Sequence, residues 1–374
     1  MKITCSRRAL LGELQIVARA AASRGAIPAL SGVLLTAEEG RVRLAATDTE
    51  ITLRTSVEAE VEQPGSVLLP ARLLVDIVRS AGGDSISLEY RPEASEVMLK
   101  FDRATFSLRT LLADDFPRMP DPPDDGVVLP AKALAQTIER VAKAASRDET
   151  RPVLTGILVL VEDGNLRMVA TDSYRLSVKE TPLETGADVH FEANVPARAL
   201  QELGRIVGET GAETIAIVSR ENQVVFGVER VTLSSRLIDG QFPNYRQLLP
   251  ENYEHEIRLS RDELLTVVRR VSLLAQRTAP LRLRFEQGQV TLSAQTPDVG
   301  EASESLPVNY QGDELEIGFN PQFLQDGLES VESDELQLKL ITPLRPGLIE
   351  MVTNGDAAPA GSFLYLIMPV RLNV

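Results

Sequence analysis

The chain has 374 residues, 43% of them hydrophobic and 4% aromatic, and a formal net charge of −15. That length accommodates two or three separate cores, no apolar run is long enough to span a bilayer, and the acidic balance argues against indiscriminate binding to nucleic acid or membranes. Cys5 is the only cysteine, which excludes a disulfide framework or multi-cysteine zinc site within one chain, and Met1-Lys2-Ile3-Thr4 leads into a strand-like pattern without a signal-peptide core, so the reading is cytoplasmic.

Lys2 to Thr4 reads as a short strand, followed by a helix over residues 7–23 with Leu10, Leu14, Val17 and Ala21 on one face. Residues 33–54, VLLTAEEGRVRLAATDTEITLR, read as a hairpin, a Thr47-Asp48 corner and a third strand. A second helix begins at Pro70, where the missing N–H costs nothing because first-turn donors have no partner. Glu96 to Phe101 alternates as a strand, and the proline-rich acidic stretch of residues 121–126 reads as a linker. The layout then recurs. A helix over residues 130–147 carries Leu134, Ile138, Val141 and Ala145 on one face. Residues 157–178, ILVLVEDGNLRMVATDSYRLSV, repeat the 33–54 pattern 124 residues on, with the turn at Asp163-Gly164, a pair that tolerates positive φ. A helix from Pro196 and a strand over Val224 to Val228 follow, then a second linker at residues 250–256. The third copy has a helix over residues 260–277 with Leu264, Val268, Val271 and Ala275 aligned, opened by a Ser260/Glu263 capping box. Residues 281–302 are its weaker hairpin copy, with Gly288 in the turn and Thr296-Pro297-Asp298 at the corner, and Asn320 caps a last helix. The expectation is an α+β protein of three domains, 1–120, 127–249 and 250–374, each made twice over of strand, helix and antiparallel strands.

Charge is distributed unevenly. The helical stretches 7–24, 70–80, 130–147, 196–208 and 260–277 hold 16 Lys or Arg against 6 Asp or Glu, while the chain as a whole is strongly acidic. At about 100° per residue, Arg19 and Lys143 lie opposite the apolar face, with Arg140, Arg147, Arg270 and Arg277 nearby. One such helix is an ordinary solvated face. The same arrangement in three repeated helices points to a surface held against phosphate backbones. No Asn, Gln and Arg cluster offers base reading, and Trp is absent, so the expected contact is with duplex, independent of sequence and weak.

No catalytic constellation is legible. His190 and His255 belong to no ligand spacing, there is no phosphate-binding glycine loop, and Asp48 and Asp172 at equivalent corners read as turn caps rather than a carboxylate pair. No metal site and no cofactor is expected.

Four segments together are specific: SSRLIDGQFPNYRQLLP (234–250), EIGFN (316–320), ATDSYRL (170–176) and YLIMPVRL (365–372). In this order and at this length the chain resembles the bacterial beta sliding clamps, processivity subunits of the replicative DNA polymerase. The resemblance implies a DNA-clamp fold closed as a head-to-tail homodimer ring, helices lining a bore for duplex DNA, and no catalysis. Arg24, Arg72 and Arg198 match positions that touch DNA in the family, whereas Arg147-Asp148-Glu149 departs from its usual polar or basic residues. A second family site, a hydrophobic groove for short linear peptides of polymerases, the clamp loader and repair proteins, maps onto Leu154, Thr171, Arg175, Leu176, Pro243, Leu248, Pro346, Leu366, Met368, Pro369, Val370 and Arg371. Apolar residues there would pocket an anchor and Arg175 would orient the peptide. Departures at Ser173, Tyr174, Gln247 and Phe323 would retune peptide choice. The implied dimer seam uses Phe106 and Leu108 on one side, Leu273 and Leu274 on the other. Two rivals remain: a cytoplasmic peptide-binding scaffold never loaded on DNA, and an enzyme with a cleft site around Thr171 and Asp172.

Overall fold

The computed structural model describes residues 1–22, 27–119, 126–183, 190–275, 279–352 and 361–372. Among these, helices α1 (Arg7–Val17), α2 (Ala71–Ser80), α3 (Ala131–Val141), α4 (Ala197–Thr210), α5 (Arg261–Val271) and α6 (Pro321–Ser330) each follow one strand and precede three. The strand–helix–three-strand unit therefore occurs six times, twice per sequence repeat. The ladders are antiparallel, so the fold is α+β as expected.

Local chemistry explains much of this. Asp163 and Gly164 adopt φ of 51° and 71°, and Glu162 pairs with Asn165, closing a two-residue hairpin whose twist suits the flanking strands. Ser260 accepts a hydrogen bond from the Glu263 N–H, and Asn320 accepts one from the Phe323 N–H, each satisfying a first-turn donor. The aligned apolar residues of the long helices, Leu10, Leu14 and Val17, Leu134, Ile138 and Val141, Leu264, Val268 and Val271, are all buried. Each is worth about 1.5–3 kcal/mol relative to exposure.

The long helices are shorter than their periodicity suggests. Each changes to a three-residue 3-10 turn, Ala18–Ala20, Ala142–Ala144 and Ser272–Leu274, closed by Ala21 N–H to Ala18 O, Ala145 N–H to Ala142 O and Ala275 N–H to Ser272 O. Tightening the last turn is one way to satisfy terminal carbonyls. The uniform helical wheel therefore does not carry as far as Arg19 and Lys143, whose directions follow from the 3-10 geometry instead, or Arg147, which lies in irregular chain beyond it. Arg24 and Arg277 lie outside the described residues.

The chain separates into two compact units, Met1–Lys132 with Arg205–Leu237, and Ala133–Gly204 with Ile238–Val374. These do not follow the sequence repeats, because sheets run across repeat boundaries. In the first unit the 13-residue strand Ile51–Gln63 pairs through one half with Lys2–Ser6 and through the other with Val231–Arg236 of the second repeat. In the second unit Arg175–Pro182 pairs with Ser362–Ile367 of the third repeat, within an eight-stranded sheet, while four further strands (Leu281–Glu286, Gln289–Thr296, Gly300–Pro307 and Leu315–Phe319) form a sheet of their own.

Candidate functional site

The two Thr-Asp corners are built identically. The Thr47 hydroxyl donates to Ile51 O and accepts from the Thr49 N–H, while Asp48 accepts from the Glu50 and Ile51 N–H groups. The Thr171 hydroxyl donates to Arg175 O and accepts from the Ser173 N–H, while Asp172 accepts from the Tyr174 and Arg175 N–H groups. The side chains replace a backbone turn and hold Thr49 and Ser173 at φ of 80°. The third copy differs: Pro297 has no N–H to donate, and the Thr296 hydroxyl goes to Leu274 O at 2.6 Å instead. Both aspartates are turn caps, which accounts for them without catalysis.

In the second corner only, the turn carries an arginine. The Arg175 side chain is 9% exposed. It donates to Asp172 at 3.0 Å, to Asp326 of α6 at 2.5 Å, to the Lys143 carbonyl and to the Tyr365 hydroxyl at 3.4 Å, and lies 4.2 Å over the Phe323 ring. A planar fork of five donors suits such a junction, where lysine would not. These partners fix the guanidinium in place and tie the corner to α6 and to the C-terminal strand. Burial also pushes the Tyr365 hydroxyl far up, and its proton goes to Phe323 O at 2.8 Å.

Several of the groove candidates lie near this junction. Leu176 and Leu366 face each other across the strand pair and belong to one apolar cluster with Leu158, Tyr245 and Leu348, against which Phe242 and Leu249 pack. The Met368 N–H donates to Tyr174 O and the Val370 N–H to Gly318 O, both at 2.8 Å, which ties the C-terminal segment to the corner. Arg151 donates to the Ser173 hydroxyl at 3.0 Å. Of the candidates, Leu154, Thr171, Leu176 and Leu366 are buried, Tyr174, Pro243, Gln247, Leu248, Met368 and Arg371 are exposed, and Phe323, Pro346, Pro369 and Val370 are half-buried. Tyr174 is 62% exposed, a large cost-free area for a partner to cover.

Three of the basic candidates, Arg19, Lys143 and Arg270, are paired with carboxylates. In the first unit both guanidinium nitrogens of Arg19 reach Glu209 of α4, at 2.8 and 2.9 Å. A cavity of about 770 Å³ adjoins them, and there the buried Glu13 takes hydrogen bonds from Thr55 and Arg230, each at 2.6 Å. In the second unit Lys143 pairs with Glu329 of α6 at 2.6 Å, Arg269 reaches the same carboxylate at 2.8 Å, and Arg140 and the buried Lys179 share Glu332 at 3.3 and 2.9 Å. Arg270 pairs with Glu304. Burial alone would push the Glu329 carboxyl up, but hydrogen bonds from Arg269, Lys143 and Gln325 outweigh it and hold it at about 2. Arg72, Arg147 and Arg198 are exposed. Sequence reasoning missed these carboxylates, although Asp326, Glu329 and Glu332 recur every third residue along and just beyond α6, a one-face spacing.

Leu273 occupies the middle of its 3-10 turn, where Arg19 and Lys143 stand in the other repeats, and is 74% exposed. Phe106 is exposed and stacks on Phe101 at 5.4 Å, Leu274 is half-buried, and Leu108 is turned into the core. Among the described residues no three His, Cys, Asp or Glu side chains form a cluster suited to a metal ion, and no helix is long and apolar enough to cross a membrane. Burial pushes the Cys5 thiol up to about 11.

Comparison with known proteins agrees from end to end. Family models for the N-terminal, central and C-terminal domains of the DNA polymerase III beta subunit match residues 1–120, 128–244 and 246–371. The chain belongs to the DNA polymerase III beta subunit family. Relatives described as beta sliding clamps, from Streptomyces coelicolor and Synechococcus elongatus, are 35% and 34% identical over the whole of both chains. Among solved structures, the DNA polymerase sliding clamp of Bacillus subtilis superposes with a TM-score of 0.91 at 30% identity, and the beta subunit of Pseudomonas aeruginosa with 0.89 at 31%, each covering both chains fully. The Pseudomonas aeruginosa clamp has also been solved bound to griselimycin. The family is a non-catalytic processivity subunit, so the enzyme rival falls away.

Proposed function

We propose that this chain is a sliding clamp that closes as a homodimer around duplex DNA and tethers the replicative polymerase and other replication and repair proteins, so that synthesis is processive. It works in the cytoplasm, and its three repeats, 1–120, 127–249 and 250–374, serve as its domains. The observation that carries the reading is the full-length family match on a chain in which two of the three long helices present a cation at equivalent 3-10 turns while the rest is acidic. Such a face attracts phosphates without reading bases. Arg19, Arg24, Arg72, Lys143, Arg147, Arg198, Arg270 and Arg277 are the residues we assign to it. We assign partner peptides to the apolar floor of Leu154, Leu176 and Leu366 beneath the rim of Tyr174, Pro243, Leu248 and Met368, with Arg175 holding the walls. Phe106 and Leu273 are the exposed anchors we assign to the dimer seam.

Retention on nicked circular DNA after loading tests this reading. A clamp stays on circles at high salt and leaves once they are linearised. Salt-driven loss from circles and linear DNA alike would overturn it in favour of the scaffold that never encloses DNA.

A further inference from the structure

Within the clamp reading, three of the cations assigned to DNA, Arg19, Lys143 and Arg270, are already paired with carboxylates. Arg19 is held by both oxygens of Glu209. Lys143 and Arg269 share Glu329, which also accepts from Gln325 at 2.8 Å. The two cases are independent, one in each compact unit, yet follow one design: the cation stands in the middle of the 3-10 turn after the first helix of a repeat, and the carboxylate lies in the last turn of the second helix of the next repeat. None of these side chains is fully buried, so the pairs are partly solvated and weak enough to exchange.

We propose that Glu209 and Glu329 are resident counter-charges that compete with DNA phosphates for Arg19, Lys143 and Arg269, and so set how loosely the duplex is held. A cation with no carboxylate beside it must release a phosphate before the next arrives, and each release raises the barrier between registers. A cation with a waiting carboxylate passes between two anionic partners and is never left unpaired. The enclosed duplex then feels a flatter potential. The predicted cost of losing the carboxylate is drag.

The test uses full-length protein loaded on nicked circular duplex, with Glu209→Gln and Glu329→Gln compared with the parent. Glutamine keeps the shape and removes the charge. Diffusion along DNA and the salt dependence of duplex affinity are measured together with thermal unfolding. Freeing two cations in Glu329→Gln makes the affinity loss between about 50 and 200 mM salt roughly tenfold greater than in the parent, and slows diffusion at the lower salt. Lys143→Gln lowers the salt exponent by more in the Glu329→Gln background than it does in the parent, an interaction that simple loss of packing would not produce. If neither glutamine variant alters diffusion or the salt exponent while the parent is retained on circles, the inference is wrong and the carboxylates only stitch helices together. If the parent itself is stripped by salt from circles and linear DNA alike, the clamp reading fails and the inference fails with it.

Discussion

Arg175 shows how one side chain is given its role by its neighbours. With two carboxylates, a backbone carbonyl, a tyrosine hydroxyl and an aromatic face around it, its removal leaves Asp172 and Asp326 without their shared cation. Arg175→Ala is expected to lower unfolding stability by roughly 3–5 kcal/mol, the range for breaking a buried pair, and Arg175→Lys to recover only part because an ammonium cannot span the fork. Urea unfolding together with peptide titration checks this; unchanged stability in both variants would remove Arg175 from its structural role. Glu329 offers a second test at this scale. Its folded pKa of about 2 lies below the ordinary carboxylate value, so its contribution is complete above about pH 4.3 and is lost as pH falls from there towards 2. Melting temperatures of the parent and Glu329→Gln should thus differ at pH 7 and converge on acidification. Parallel curves would show that the pairs with Lys143 and Arg269 contribute nothing to folding.

At the scale of elements, the repeated corner allows a controlled comparison. Asp48 and Asp172 cap the same turn, and Asp172 also holds Arg175 beside the groove candidates. In each, the two turn hydrogen bonds should be worth about 1–2 kcal/mol, lost on substitution by Ala. Only Asp172→Ala is expected to weaken peptide binding; equal effects on binding would separate the corner from the groove. The corners, the Asp163-Gly164 turn and the caps at Ser260 and Asn320 were legible in the sequence because each is decided within four residues. Helix ends were not, since the change to 3-10 at Ala18, Ala142 and Ser272 continues an apolar pattern that still reads as helix. Nor were the partners of the cations: Glu329 is 186 residues from Lys143 and Glu209 is 190 from Arg19. The spacing of Asp326 and Glu329 along α6 could have pointed to a carboxylate face, but nothing local says what it meets. Groove membership of Leu154, Leu176 and Leu366 came from the family resemblance, because alone they read as core, and core-like burial is what they have.

For the whole molecule, the third repeat is distinguished by what it lacks. Leu273 stands where the other repeats have a paired cation. An apolar side chain exposed at a repeated structural position is suited to burial against a second copy. Leu273→Glu should leave the melting of the isolated chain almost unchanged, since the side chain is in solvent there, and shift the dimer towards monomer by about tenfold or more, at roughly 1.4 kcal/mol per tenfold. Sedimentation across a concentration series reads this. A dimer as tight as the parent's would locate the seam elsewhere.

The sheet joints between successive repeats bear on how such a chain can change over time. Thr232–Ser235 against Ile51–Arg54, and Arg175–Glu180 against Ser362–Ile367, are ladders made from backbone amides and carbonyls, groups that every residue except proline supplies in full. Every side chain of these ladders except Ser362 is buried or half-buried, yet none of them supplies the bonds that attach one repeat to the next. Lineages are therefore free to rewrite the surface away from the ladders, retuning charge and partner choice, while mutation within them is filtered for burial and against proline.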